Sequence, residues 1–401
     1  MKIAKVCAVL LLGFMIFSVS LANAAGKNNT AALVDGNGRF AFDLFRQISG
    51  ENPGKNVLIS PFSISTALAM TYAGARGDTE TQMARTLHFR SQDALHPAFM
   101  ELDGQLFNKE RRDYKLYISN ALWGQNDYRF SAGFKGLIKT YYDGGFRTLD
   151  FVKRTEASRK TINKAVADAT AGRIKDLLGK GDVTRLTRLV LTDAVYFKGV
   201  WESRFNEKET ATAPFYKTPE VKVNVQMMHQ RERFRYAELE YGLKVLELPY
   251  KGGDLSMVVL LPDGGLTGLV PRLTYENIRR WLSALYSSDV EVSLPRFKFD
   301  ARYYLNKDLA YMGMPDAFDE MKANFSGMTG NKGLYISRVI HQADVEVTEE
   351  GTEAAAATAV VMGTKSLPHT VVFNADHPFV FLILHKNTGA VLFVGSVLDP
   401  K

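Results

Sequence analysis

Only one cysteine, Cys7, stands in the 401 residues. No disulfide framework can form within the chain, so stability must rest on the packed core. Catalytic signatures are missing as well: there is no Gly-x-Ser-x-Gly, no His-Glu-x-x-His, no Gly-x-x-x-x-Gly-Lys and no cysteine nucleophile beyond residue 7. His341, Asp344 and one of the serines supply the letters of a triad, but triads are defined by geometry. No active site, metal centre or cofactor is expected. Charge of one sign is scarce too, with 50 Lys and Arg against 43 Asp and Glu, a formal +7. Nucleic acid is not implied, and a short basic group such as Lys109 to Arg112 reads as solvated surface. No repeat, low-complexity tract or linker interrupts the chain.

What is present is an ordinary soluble composition, 46% hydrophobic and 23% charged. The basic start with Lys2 and Lys5, the apolar run from Val6 to Phe17 and the small residues of Ala22-Asn23-Ala24 read as a secretory signal peptide over 1–24. The apolar run is shorter than the ~20 residues of a spanning helix, so no membrane association is expected. Cleavage leaves one domain, 25–401, with a charge of about +5, and places it in a periplasm or outside the cell. The short signal points to a prokaryotic host, in which the glycosylation acceptors beginning at Asn28 and Asn324 stay bare.

Gly26 to Val34 is small and polar, a flexible lead. Gly38 to Ile48 predicts an amphipathic helix, and Asn56 to Met70 a short strand running into a helix with Pro61 near its start. Ile64, Leu68 and Tyr72 give that helix one buried face, and Thr79, Met83 and Leu87 pattern the next. Tyr117 to Gly124 predicts a strand. Thr155 to Leu178 predicts a helix lined by Ile162, Val166 and Ala169. Arg188 to Trp201 is a near-continuous apolar strand buried on both faces. Strands dominate Val221 to Pro262, helix returns over Val270 to Leu285, and Val290 to Phe299 alternates as one further strand. Phe379 to Leu384 and Ala390 to Gly395 close the chain as strands.

One stretch organises the rest. From Val345 the sequence alternates as a strand until Gly351, and Thr352, Glu353, Ala354, Ala355, Ala356, Ala357 and Thr358 follow with almost no side-chain volume. Read as a helix capped by Thr352, this run lacks an apolar stripe to dock, and short isolated helices are marginal in water. Read as a strand, it places Thr352, Ala354, Ala356 and Thr358 on one face, where nothing bulky or charged would hinder burial, while Glu353 stays outside.

The segment from Glu349 to Thr358, with the downstream Phe373-Asn374-Ala375-Asp376-His377-Pro378-Phe379, resembles the hinge of the reactive-centre loop in inhibitory serpins. The likeness extends over essentially the whole mature chain, to the Pro61 helix and its neighbour and to Thr170-Ala171-Gly172. It implies an α+β fold of about nine helices around three mostly antiparallel sheets, with a loop over about 350–372. The family's spacing from Glu349 puts the cleaved bond at Lys365–Ser366. A lysine there implies a covalent acyl complex with a serine protease that prefers Lys or Arg, formed by a monomeric secreted trap. The resemblance also implies a polar cluster of Ser60, Ser63, Asp193 and His341 under the main sheet, and a loop-entry region of Trp201, Arg296 and Glu349. Asp193 departs from the usual Asn and would pair with His341, making sheet opening pH-sensitive; Asp344 stands where a large apolar residue is common. A polyanion site would fall on Asp93 to Leu106, which holds no lysine or arginine. A non-inhibitory serpin acting as carrier or folding helper, and a secreted hydrolase, are the rival readings.

Overall fold

Runs of Val, Leu, Ile and Phe bounded by Gly, Pro and Asp give this chain its strands, and alternation gives their faces. A computed structural model describes residues 2–106, 114–351 and 370–401. In chain order the strands are β1 (Val57–Ile59), β2 (Tyr114–Gln125), β3 (Phe146–Leu149), β4 (Leu189–Gly199), β5 (Ala211–Tyr216), β6 (Lys222–Leu239), β7 (Leu243–Pro249), β8 (Leu255–Pro262), β9 (Tyr286–Pro295), β10 (Phe297–Tyr304), β11 (Ile336–Val347), β12 (Val371–Asn374), β13 (Phe379–His385) and β14 (Val391–Val397). Nine of them form one sheet in the order β1-β14-β13-β8-β7-β6-β9-β12, with β5 also on β6. The other five form a second sheet, β10-β11-β4-β2-β3. Three sheets are expected, but the 18-residue β6 pairs with β5, β9 and β7 and ties two of them into one.

In the five-stranded sheet β11 and β4 run parallel, His341 beside Asp193, while β10 lies antiparallel to β11 and β2 antiparallel to β4. Parallel ladders are slightly weaker per residue than antiparallel ones. β2 and β3 also run parallel, over four residues at the sheet's edge, so β11–β4 is the long parallel seam of that sheet. The helix Pro61–Tyr72 packs beneath it, with Pro61 at its first turn, where a missing N–H is tolerated. One buried face is expected of that helix, but eleven of its residues are buried, because sheet and neighbouring helices enclose it.

Several local expectations are corrected. Gly26–Val34 is not a loose lead but part of a helix, Lys2–Glu51, with Leu33 and Val34 buried and the Thr30 hydroxyl on Glu101 (2.8 Å). The helix from Thr155 stops at Ala169, not Leu178: Ala171 and Gly172 take positive φ, and the Thr170 hydroxyl bonds the Val166 carbonyl (2.8 Å). Ile162 and Val166 are buried as expected, but Ala169 is exposed and Asn163 takes the inner place. Val270–Leu285 is α-helical only over Tyr275–Ser283, started by a Thr274 cap, after a short 3-10 turn at Val270–Arg272. Val290–Phe299 is two strands, since Pro295 ends β9 and the chain crosses to the other sheet as β10.

Candidate functional site

Two polar clusters occupy the five-stranded sheet, one at the middle of the β11–β4 seam and one at its head. At the middle, neighbouring strands place Tyr303, His341, Asp193 and Asn120 in a single row across β10, β11, β4 and β2. His341 and Asp193 are almost fully buried, as are Ser60 and Ser63 at the start of the helix below. The Ser60 N–H donates to His341 Nε2 (3.1 Å), so that nitrogen is unprotonated and the neutral ring carries its proton on Nδ1. Nδ1 stands 3.4 Å from Asp193 Oδ1, within ion-pair reach but not aligned as a hydrogen bond. The Ser63 hydroxyl lies 2.7 Å from Asn120 Oδ1 and 2.8 Å from Asp193 Oδ1 and, with one proton, serves only one at a time. Asp193 Oδ2 and His341 Nδ1 are both left without a partner. A buried row with unmet hydrogen-bonding capacity is under-stabilised by about 1–3 kcal/mol per group.

At the head of the seam, β4 ends at Gly199 and β11 runs into Thr348. Glu349 is buried, and its carboxylate takes Arg296 Nε and Nη2, both at 2.6 Å, and the Thr210 hydroxyl. Burial alone would raise the Glu349 carboxyl, but these hydrogen bonds outweigh it and hold it below the ordinary range. Trp201 stacks on Tyr250 with ring centres 4.4 Å apart, and its Nε1–H donates to the Thr348 carbonyl (2.9 Å). The backbone N–H groups of Trp201 and Phe205 donate to the carbonyls of Glu350 and Glu349. Gly351 has φ +78, and a Cβ there would lie 2.5 Å from the Gly199 carbonyl oxygen, so only glycine fits where the chain turns back.

Both residue sets expected from the sequence are thus brought together: Ser60, Ser63, Asp193 and His341 at one point, Trp201, Arg296 and Glu349 at the other. Missed were Asn120, Tyr303, Thr210, Phe205 and Tyr250, which carry no pattern of their own and join only through strand register. Asp344 faces neither cluster. Its Oδ1 is buried without a partner, and burial pushes its carboxyl up. Thr352 to Thr358 and the Lys365–Ser366 bond lie outside the described residues, as does Lys109 to Arg112. Among the described residues no cluster of metal-binding side chains occurs, and no helix is long and apolar enough to cross a membrane.

The architecture and these two clusters define an α+β protein in which a segment leaves the head of a parallel strand pair through a tightly docked glycine turn. Residues 35–400 match the family model of the serpins, described as serine protease inhibitors. Leukocyte elastase inhibitor from Homo sapiens is 42% identical over 377 residues, covering 92% of this chain and 99% of that protein. The protein of the same name from Xenopus laevis is 40% identical, covering 90% and 97%. Solved structures agree: maspin superposes with a TM-score of 0.87 at 31% identity, covering 93% of this chain and all of the other, and uncleaved ovalbumin with 0.83 at 31%, covering 92% and all of the other. The chain belongs to the serpin family, a family of protease inhibitors and not of enzymes. Its relatives here are animal proteins, which overturns the expectation of a prokaryotic source, resting as that did on a short leader alone.

Proposed function

We propose that the chain, freed of residues 1–24, is a secreted, single-use trap for trypsin-like serine proteases. The observation that carries this reading is the parallel β11–β4 seam with the Gly351 turn docked at its head, because a chain leaving β11 and folding back would run antiparallel to both neighbours at once. The protease serine attacks the Lys365 carbonyl, the bond to Ser366 breaks, and the new amine leaves with the C-terminal segment. The freed hinge strand then enters the seam with the acyl-linked protease attached; serpin loop insertion is among the recognised modes of strand addition and switching. About 14 entering residues add on the order of 14 ladder hydrogen bonds at ~1 kcal/mol each. A protease is stable by only ~5–15 kcal/mol, so distortion of its active site is within reach.

Lysine at the cleavage position suits a primary pocket with a carboxylate at its base. The relatives are named for leukocyte elastase, but a single loop side chain decides this preference and overall identity does not. The carrier reading draws on a likeness to thyroxine-binding globulin complexed with thyroxine, at 30% identity and a TM-score of 0.84, covering 93% of this chain and all of that one. The small, uncharged residues at Thr352, Ala354, Ala356 and Thr358 favour the trap. Incubating the mature protein with trypsin and, separately, with leukocyte elastase tests both points. An SDS-resistant adduct with trypsin, cleaved after Lys365 and lost in Lys365→Ala, is expected. An adduct formed only with elastase would move the reactive bond, and cleavage without any adduct would favour the carrier.

A further inference from the structure

Residues 170–188 join the helix Thr155–Ala169 to β4 and lie across the outer face of the seam. They bury Ile174, Leu177, Leu178 and Val183 in a small core of their own, shared with Val190 and Ala194 of β4 and Ile340 of β11. The middle of this segment is fastened to the helix. Asn163 Nδ2 donates to the Leu178 carbonyl (2.9 Å), the Leu178 N–H donates to Asn163 Oδ1 (2.8 Å), and Arg159 Nη1 donates to the same carbonyl (2.7 Å). By chain and by hydrogen bond the segment therefore belongs to the β4 half of the sheet.

Two side chains of β10 hold it from the other half. Arg302 Nη1 donates to the carbonyls of Asp176 (3.2 Å) and Leu177 (3.4 Å), and the Tyr304 hydroxyl donates to Asp182 Oδ2 (3.0 Å), which also accepts from the Gly179 N–H (2.6 Å). The guanidinium stands 5.8 Å from the centre of the Tyr304 ring, so the two side chains also support each other. Strand register fixes where along the seam these contacts fall. Arg302 shares a row with Gln342 and Ala194, and Tyr304 with Ile340 and Thr192; the row between them holds Tyr303, His341 and Asp193. Alternate residues face opposite sides of a sheet. The sheet is thus pinned at one level on both faces, by Ser60 and Ser63 below and by Arg302 and Tyr304 above. Neighbouring strands lie about 4.8 Å apart, so a strand admitted between β11 and β4 would carry β10 away from the segment by about that much. Hydrogen bonds of 3.0 to 3.4 Å cannot span the added distance.

We propose that Arg302 and Tyr304 are positioning residues for strand entry: they strap residues 176–182 over the seam, and the strap must release before an entering strand passes the level of His341. This rests on the trap reading, because it concerns the step by which the trap closes. Thr348, at the head of the seam, stands about 24 Å along the strand from His341, so the strap acts after entry has begun. The test is a synthetic peptide of residues 352–365 added to the intact chain, with uptake followed on native gels and by tryptophan fluorescence. Arg302→Met combined with Tyr304→Phe should speed uptake by about tenfold or more. Arg302→Lys alone keeps a donor and should fall between the parent and the double variant. Lys164→Met removes an exposed ion pair within the helix (2.6 Å) and should leave the rate unchanged. The unfolding temperature of the intact double variant should stay near that of the parent, since exposed hydrogen bonds add little to global stability. Uptake no faster in the double variant than in the parent, including none in either, overturns the strap. So does an equal gain from Lys164→Met, or a gain that comes with a large fall in the unfolding temperature. The trap reading is judged separately, by the parent's own adduct with trypsin.

Discussion

Glu349 shows at the level of one side chain how the loop is tied down. Its carboxyl is held below the ordinary range, so its contribution to stability is present at neutral pH and lost as pH falls through its folded value, below 4.5. Glu349→Gln and Arg296→Met, with the double variant, should give a coupling of about 0.5–3 kcal/mol in a denaturant cycle at neutral pH, shrinking in acid; additive effects would show that the pair does not act as a unit. His96 works with the opposite sign. Burial, only partly offset by Asp93, pushes it down to about 4, so between its unfolded value near 6.5 and that figure the unfolded chain takes up a proton that the folded chain refuses. Stability should fall on the order of 3 kcal/mol as pH drops across that window and level off below it. His96→Gln should remove this part of the acid sensitivity in pH-dependent unfolding. The sequence pointed to His341 and Asp193 by resemblance but held no sign of His96, whose partner Tyr142 caps the end of another helix.

Among elements, the hinge register makes the sharpest prediction. Thr348 and Gly351 already form an antiparallel bridge. Continued in the same register, a returning strand would set Thr352 beside Val347, on the buried face, and Glu353 beside Glu346, whose carboxylate holds Lys298 (3.0 Å). Thr352→Arg would bury an unpaired guanidinium at a cost of several kcal/mol, so trypsin should cleave the variant after Lys365 and leave little adduct. Glu353→Arg replaces a like-charge pair by an opposite one and should keep or raise the adduct fraction. Measuring adduct against cleaved product decides, and equal loss in both variants would argue against strand entry in this register. Most elements were legible because β4, β13 and β14 are apolar runs that compete with no other pattern, whereas β11, with Ser, Arg, His, Gln and Asp along it, was read only from Val345 onward. The errors fell where one local feature overrode the pattern: the positive φ of Ala171 and Gly172, and Pro295 inside an alternating run. Strand order was not legible at all, since the parallel pairing of β11 with β4 depends on partners distant in sequence.

For the whole molecule, the proposed trap requires the paired β11–β4 seam to part and admit a further strand. With a single cysteine, and so no disulfide within the chain, to pin either state, cleavage after Lys365 with full entry should raise the unfolding temperature, on the order of 20 °C for the ladder bonds gained. A cleaved chain that melts with the intact one would mean that no strand had entered. Direction sets the β11–β4 seam apart from the slots on either side of it. Between β10 and β11, or between β4 and β2, a new strand would be parallel to one neighbour and antiparallel to the other; between β11 and β4 it can be antiparallel to both, and the other parallel pair, β2 with β3, offers only four paired residues at the sheet's edge. The seam can therefore be regarded as a short linear motor with one permitted direction and one stroke. Fourteen residues at ~3.4 Å each travel about 48 Å, and about 14 kcal/mol released over that distance corresponds to a mean force of roughly 20 pN on whatever is attached to the Lys365 carbonyl.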